Sequence, residues 1–114
     1  MQISITKNPH PGTMPPENQL GFGKIFSDHM FIMDYTDADK WYNARILPYG
    51  PISLMPSGDG IQYANTVFEG MKAYRWADGS VKMFRPMENI RRMNRSADRM
   101  GLPQIPEEIG RAHV

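Results

Sequence analysis

The segment from Pro86 to Met100 constrains the fold most, because it reads as an amphipathic helix with both ends marked. Its apolar residues recur every three or four positions, which places them on one face of a helix. They are Met87, Ile90, Met93, Ala97 and Met100. Pro86 suits the first helical turn, and Gly101 followed by Pro103 suits the end of the helix. The sequence therefore predicts a helix with one buried apolar stripe.

Two alternating stretches upstream of this helix predict strands. Residues 26–35 and residues 41–50 read as strands joined by a polar turn. The first stretch has apolar side chains on both faces, which is typical of an interior strand rather than an edge strand. Residues 7–19 are rich in proline, asparagine and glycine, and they predict an extended segment before the strands.

The stretch between these strands and the long helix predicts a short helix followed by a β-hairpin. Residues 63–70 are expected to form the short helix, with Gly70 as its stop. Residues 71–76 and residues 81–85 are expected to pair across the Asp-Gly turn at 78–79, with positive φ at both turn positions. Strands, a hairpin and helices in this order predict an α+β fold with an antiparallel sheet.

The composition excludes several classes of function. The 114 residues include no cysteine, so disulfides and thiolate chemistry are ruled out, and the net charge of +1 gives no field for holding nucleic acid. The three histidines lack metal-ligand spacing, which argues against a metal site. No apolar run has the length of a membrane span, and the N-terminus has no signal-peptide pattern. We therefore expect a cytoplasmic location and no membrane contact.

Four arginines lie on the predicted long helix: Arg91, Arg92, Arg95 and Arg99. Helical spacing places all of them except Arg91 on one face. Guanidinium groups bind phosphate and carboxylate, so one interpretation of this face is an anion site. The other interpretation is an exposed charged face on which Glu88 pairs with Arg92. Spacing alone favours the exposed face.

Two further patterns carry little weight. Lys72, Tyr74 and Trp76 share one face of the predicted hairpin and could stack on nucleobases, but the nearly neutral chain argues against nucleic-acid binding. Ser96 lies inside the predicted helix, so it is not presented as a nucleophile. From the residues alone, the chain is a small α+β domain with an anion site as one open interpretation.

Four stretches of the sequence together resemble one protein family. They are LGFGKIFSDHMFIMDY, ARILPYGPISL, FEGMKAYR and MFRPMENIRRMNRSADRMGLP. In this order and with these separations, they resemble the N-terminal part of a branched-chain amino acid aminotransferase, over about Lys7 to Pro106. Such enzymes belong to class IV, fold type IV, and use pyridoxal 5′-phosphate. The resemblance implies a small N-terminal domain beside a larger C-terminal domain, with the cofactor at their junction.

The resemblance also implies roles for four side chains. Arg92, in NIRRMNRSA, matches the arginine that binds the phosphate of the cofactor. Tyr63 and Phe68, in QYANTVFEG, match residues that line the substrate side-chain pocket, and Phe26, in KIFSDHM, matches another apolar wall. An apolar pocket suits leucine, isoleucine and valine side chains. Without the resemblance, the three aromatic residues would be read as ordinary core.

Two residues depart from the family pattern. Met55 stands where the family usually has aspartate, and Gln62 stands where it often has histidine. Neither departure removes an assigned group, but both put the fine substrate specificity in doubt. The family's Schiff-base lysine belongs to the C-terminal domain, and no lysine of this chain matches it. No catalytic residue is therefore assigned, and this chain alone is expected to be inactive.

The resemblance divides the chain into three parts. Residues 1–19 are expected to form an extended N-terminal segment, and residues 20–108 an incomplete small domain of an aminotransferase, without its C-terminal domain. Residues 109–114, Ile-Gly-Arg-Ala-His-Val, match the translation of a widely used sequencing adapter that continues into a stop codon. We therefore expect this tail to derive from the adapter; the alternative is a chance helix start, since PEEIGRA is acceptable helix sequence.

The expected activity of the intact enzyme is transfer of the amino group of leucine, isoleucine or valine to 2-oxoglutarate. The family suggests a homodimer or a larger assembly. One alternative is another class IV enzyme, a D-amino acid aminotransferase or an aminodeoxychorismate lyase. An alternative from a different class is a small non-enzymatic binding module.

Overall fold

The structure, a computed structural model, describes residues 2–111. The chain falls into two compact units, Met1–Ser53 and Leu54–Val114. The predicted adapter-derived tail, residues 109–114, extends past residue 111 and so lies partly outside the described residues. Both units combine strands with helical turns, which confirms the α+β character of the chain.

A three-stranded sheet forms the first unit, in the order β1-β3-β2. The strands are β1 (Ser4–Ile5), β2 (His29–Thr36) and β3 (Lys40–Pro48), and a 3-10 helix spans Glu17–Gln19. β2 and β3 pair antiparallel, as expected, but β1 pairs parallel to β3, so the sheet is mixed rather than purely antiparallel. Ile3 and Ile5 alternate with Ser4 and Thr6, which suits a short strand, but this stretch was not predicted as one and nothing in it indicates its partner.

The strand expected in the interior of the sheet, β2, is an edge strand of the described sheet. All eight of its residues are partly buried, which explains the apolar pattern on both faces. The interior position belongs to β3, whose Ala44 is buried. The prediction was wrong because apolar faces report burial of side chains and do not report which backbone edges are paired.

An ion pair stabilises the β2–β3 ladder where its register shifts. The shift lies between Ile32 and Asp34, and Asn43 on the opposite strand has φ of +55°. The carboxylate of Asp34 accepts hydrogen bonds from Arg45 Nη1 at 2.7 Å and from Asn43 Nδ2 at 2.7 Å. These bonds lower the pKa of Asp34, the bond from Arg45 most. Asparagine tolerates the left-handed conformation, which suits it to a β-bulge.

The second unit contains two helices and a hairpin. Its elements are α1 (Asp59–Gln62), β4 (Ala73–Arg75), β5 (Val81–Met83), α2 (Pro86–Arg99) and a 3-10 helix (Glu107–Arg111). The helix expected over residues 63–70 is wrong, because the helical turn lies earlier, in α1. Ala64 has φ of +52°, which interrupts a right-handed helix immediately after Tyr63. Residues 63–70 instead form a loop that leads to β4.

The predicted β-hairpin is present, but its turn differs from the expected one. Trp76 N–H donates to Ser80 O at 2.8 Å, and Gly79 N–H donates to Trp76 O at 2.9 Å. The connection is therefore three residues long, and only Gly79 of the Asp-Gly pair has positive φ, at +82°. This arrangement is the common three-residue hairpin, in which glycine takes the left-handed position. Asp78 instead accepts hydrogen bonds from Ser80, which lower the pKa of Asp78.

The long helix α2 confirms the prediction at both ends. Pro86 occupies the first turn, and Gly101, with φ of +66°, lies just past the end. Leu102 N–H donates to Ala97 O at 2.8 Å, which closes the last turn. The predicted stripe is only partly right: Ile90 and Ala97 are buried, Met87 and Met93 are partly buried, and Met100 is exposed. Within residues 2–111, no helix has the length and apolarity needed to cross a membrane.

Candidate functional site

Arg92 lies in the middle of α2 and pairs with a carboxylate from a distant loop. Its Nε donates to Glu69 Oε2 at 2.7 Å, and its Nη2 donates to Glu69 Oε1. The two parallel bonds form a bidentate pair, which fixes the plane of the guanidinium as well as its position. The Arg92 side chain is nevertheless 60% exposed, so the rest of the guanidinium faces solvent.

Glu69 is the buried partner of this pair. Its side chain is only 7% exposed, and Asn89 Nδ2 donates to its Oε1 at 3.0 Å. The same amide nitrogen donates to Gly70 O at 2.8 Å, so Asn89 ties the loop to α2. The hydrogen bonds from Arg92 are the main cause that lowers the pKa of Glu69 to about 2, against the opposing effect of burial. Glu69 is therefore ionised at neutral pH.

The predicted pairing of Glu88 with Arg92 is wrong. Glu88 Oε1 instead accepts a hydrogen bond from Arg91 Nη1 at 2.8 Å, and Glu107 Oε2 lies 3.4 Å from Arg91 Nε. These two carboxylates raise the pKa of Arg91, the hydrogen bond from Glu88 most. Helical spacing allows Glu88 to reach either arginine, and Glu69 holds Arg92 away.

Two other arginines of α2, Arg91 and Arg95, lie among balancing charges. An open depression of about 350 Å³ runs along the helix. Its walls are formed by Arg91, Asn94, Arg95, Asp98, Gln104 and Glu107. Two cations and two anions line it, so it offers no excess positive charge to an anion. None of the four side chains assigned by resemblance contributes to this depression.

Tyr63 and Phe68 lie in the loop region between α1 and β4. Tyr63 follows the last residue of α1, and its side chain is 80% exposed. Phe68 directly precedes Glu69 and is 87% exposed. The second unit therefore leaves both aromatic rings uncovered, as it does the ring of Phe84. Their role as pocket walls stays a prediction.

Phe26 belongs to the first unit, just before β2. Its ring stacks on Tyr49 with ring centres 5.1 Å apart and planes at 8° to each other. Phe26 is still 59% exposed, so stacking on Tyr49 leaves much of it uncovered. The structure thus joins Arg92 to Glu69 and Asn89, whereas the role of Phe26 in a pocket stays a prediction.

Glu69 is the residue that sequence reasoning missed. It lies 23 positions before Arg92, outside any helical spacing. The sequence offered one signal. Glu69 is an isolated acidic residue between Phe68 and Gly70, with no basic residue directly beside it. Such a carboxylate needs a partner if it is buried, and the nearby helix carries several arginines.

Comparison with curated proteins gives several relatives of one kind. The branched-chain-amino-acid aminotransferase of Mycolicibacterium smegmatis is 43% identical over 113 residues, which cover 96% of this chain and 31% of the relative. The branched-chain-amino-acid transaminase 1 of Bacillus subtilis is 50% identical over 95 residues, which cover 83% of this chain and 27% of the relative. A probable branched-chain-amino-acid aminotransferase of Staphylococcus aureus is 51% identical over 94 residues, which cover 82% and 26%.

No protein-family model matches the chain. The chain spans about three tenths of the length of the curated relatives that it matches. These relatives confirm the resemblance found in the sequence motifs, and they do not favour the other class IV enzymes or a non-enzymatic binding module. Because identities of 42–51% extend over most of its residues, the chain belongs to the family of branched-chain-amino-acid aminotransferases.

Proposed function

We propose that this chain supplies the small N-terminal part of a fold-type IV branched-chain-amino-acid transaminase and binds the phosphate of pyridoxal 5′-phosphate through Arg92. The exposed guanidinium of Arg92, anchored from behind by Glu69, carries this proposal. The pair with Glu69 uses only part of the donor fork, so further N–H groups are available to phosphate oxygens.

The residues present fit a phosphate. Arginine matches phosphate geometry with paired donors, and it stays charged at every physiological pH. The pKa of Arg92 is raised further by the hydrogen bond and the charge of Glu69. Glu69 also neutralises part of the charge of Arg92, so the phosphate is recognised by directed N–H donors more than by net charge.

The bound cofactor would supply the electron sink needed for amino-group transfer. The residues of this chain would bind and orient: Arg92 donates to the phosphate, and Tyr63 and Phe68 offer uncovered apolar surface to a branched side chain. The sequence motif alone supports the same role for Phe26. The substrates would be leucine, isoleucine or valine together with 2-oxoglutarate.

The division of the chain is part of the same proposal. Residues 20–108 would form the small domain, residues 1–19 the segment that leads into it, and residues 109–114 an adapter-derived tail. A cytoplasmic location and a homodimer or larger assembly complete the proposal. The lysine that holds the cofactor would come from outside this chain, since no lysine here matches that position.

The test is a chimaera in which this chain replaces the matching segment of the Mycolicibacterium smegmatis relative, whose 113 aligned residues define the exchange. We expect the chimaera to transfer the amino group of leucine to 2-oxoglutarate.

Arg92→Lys removes the donor fork but keeps a charge, and it should weaken pyridoxal 5′-phosphate binding roughly 10- to 100-fold. Cofactor binding is followed by absorbance titration.

Arg99→Lys is the matched control, because Arg99 lies on the same helix, in its last turn. It should leave the cofactor dissociation constant within about 2-fold of the parent. Equal effects of the two substitutions would contradict the assignment of Arg92. A folded chimaera without transaminase activity would contradict the proposed function of the chain.

A further inference from the structure

The loop that carries Glu69 brings a buried carboxylate against the arginine that faces outward. Glu69 is 7% exposed and Arg92 is 60% exposed, so the carboxylate lies behind the guanidinium. Asn89, one helical turn before Arg92, donates to the same carboxylate at 3.0 Å. Hydrogen bonds therefore link Asn89 to Glu69 and Glu69 to Arg92, whose guanidinium is exposed.

We infer, on the basis of the proposed function, that Glu69 is a positioning residue for cofactor phosphate: anchored by Asn89, it holds Arg92 in the orientation that receives the phosphate. A free arginine side chain has many rotamers, and binding must select one of them. The bidentate pair makes this selection before the ligand arrives, which lowers the entropy cost of binding.

Glu69 also brings a negative charge close to where a phosphate would bind. Repulsion between the two anions would weaken binding, whereas orientation of Arg92 would strengthen it. The geometry favours orientation, because the carboxylate is buried on one side of the guanidinium and takes the Nε and Nη2 donors. The phosphate is left the remaining donors on the exposed side. The sign of the effect of Glu69→Gln therefore decides between the two.

The experiment compares pyridoxal 5′-phosphate with pyridoxal, which lacks the phosphate, in the same chimaera with the Mycolicibacterium smegmatis relative. Glu69→Gln keeps the shape of the side chain and removes its charge. We expect it to weaken pyridoxal 5′-phosphate binding roughly 10-fold, in the range seen when groups that orient binding residues are removed. Pyridoxal binding should stay within about 2-fold, because pyridoxal does not need Arg92.

Two further variants complete the experiment. Glu88→Gln removes the charge of the acidic residue on α2 that pairs with Arg91, and it should change neither affinity. Asn89→Ala leaves Glu69 charged but removes its anchor, and it should weaken pyridoxal 5′-phosphate alone, by roughly 3-fold. It serves as the second variant if Glu69→Gln does not fold.

The outcomes separate this inference from the proposed function. If Arg92→Lys weakens pyridoxal 5′-phosphate but Glu69→Gln does not, or if Glu69→Gln tightens it, Glu69 does not position the arginine. Equal weakening of pyridoxal and pyridoxal 5′-phosphate would show a general structural role and would also overturn the inference. If Arg92→Lys has no effect on either ligand, the phosphate assignment itself fails.

Discussion

The side chain of Asn94 hydrogen-bonds both backbone groups of Ile105. Its Nδ2 donates to Ile105 O at 2.9 Å, and its Oδ1 accepts from Ile105 N–H at 2.9 Å. Asn94 is buried on α2 between the apolar residues of the stripe. These two hydrogen bonds hold the segment after α2 against the helix. They require a side-chain amide, because it offers both a donor and an acceptor.

Asn94→Ala is expected to destabilise the second unit by roughly 1–2 kcal/mol, because two partly buried backbone groups lose their partner. Hydrogen exchange of the Ile105 amide, measured in the 114-residue chain, should accelerate accordingly. Asn94→Asp keeps an acceptor for the Ile105 amide but sets a carboxylate oxygen against Ile105 O in a buried position, so we expect at least as large an effect. An unchanged exchange rate in Asn94→Ala would show that the pair contributes nothing.

Ala64 carries backbone strain that glycine would relieve. Its φ is +52°, a left-handed value that costs an L-residue about 1–2 kcal/mol. Ala64→Gly should therefore stabilise the chain by about 0.5 kcal/mol, after the greater flexibility of glycine in the unfolded chain is included. Ala77, in the hairpin turn, has no positive φ, and Ala77→Gly should destabilise by about 0.5–1 kcal/mol. Urea unfolding of both variants measures the difference in sign.

Local signals explain what the sequence predicted well. The helix α2 has an apolar period, a proline at its start and a glycine at its end, and all of these act within a few residues. The β4–β5 hairpin is likewise local, but the Asp-Gly pair does not by itself fix the length of its turn. The pairing of Trp76 with Ser80 decides that length, and an Asp-Gly pair is compatible with either turn.

Backbone conformation and tertiary contacts explain what the sequence did not predict. The sequence 63–70 suits a helix, yet left-handed Ala64 ends the turn that begins at Asp59. The pairing of Ser4–Ile5 with β3 depends on residues about 40 positions apart, and no local pattern reports it. The anchor of Arg92 by Glu69 also joins distant residues, so helical spacing pointed to Glu88 instead.

Glu69 makes stability depend on pH in acid. Its pKa is lowered from 4.5 to about 2, first by the hydrogen bonds from Arg92. The unfolded chain therefore binds a proton more readily than the folded chain between these two values, and stability falls as the pH drops from about 4.5 to about 2. Above pH 4.5 the contribution of Glu69 is fully present.

Glu69→Gln should flatten this acid slope. Urea unfolding at several pH values between 2 and 5 compares the variant with the parent, with the range set by the two values for Glu69. Asp34 and Asp78, whose pKa values are also lowered by hydrogen bonds, are expected to account for part of the slope that remains. Glu88→Gln serves as the control and should keep the parent slope. An equal slope in Glu69→Gln and the parent would contradict the role assigned to the pair with Arg92.

Phe68 gives a test of the proposed substrate pocket. It is 87% exposed in this chain, and we propose that a branched substrate side chain covers part of it. In the chimaera with the Mycolicibacterium smegmatis relative, Phe68→Ala should lower kcat/KM for leucine roughly 10-fold, because apolar surface that would be buried against the substrate is lost. Affinity for pyridoxal 5′-phosphate should not change, since the ring is not assigned to the phosphate.

Phe22→Ala is the control, at a phenylalanine that is 95% exposed and has no assigned role. It should leave both kcat/KM and cofactor affinity within about 2-fold. If the two substitutions lower kcat/KM equally, or if Phe68→Ala weakens the cofactor instead, Phe68 is not a wall of the pocket.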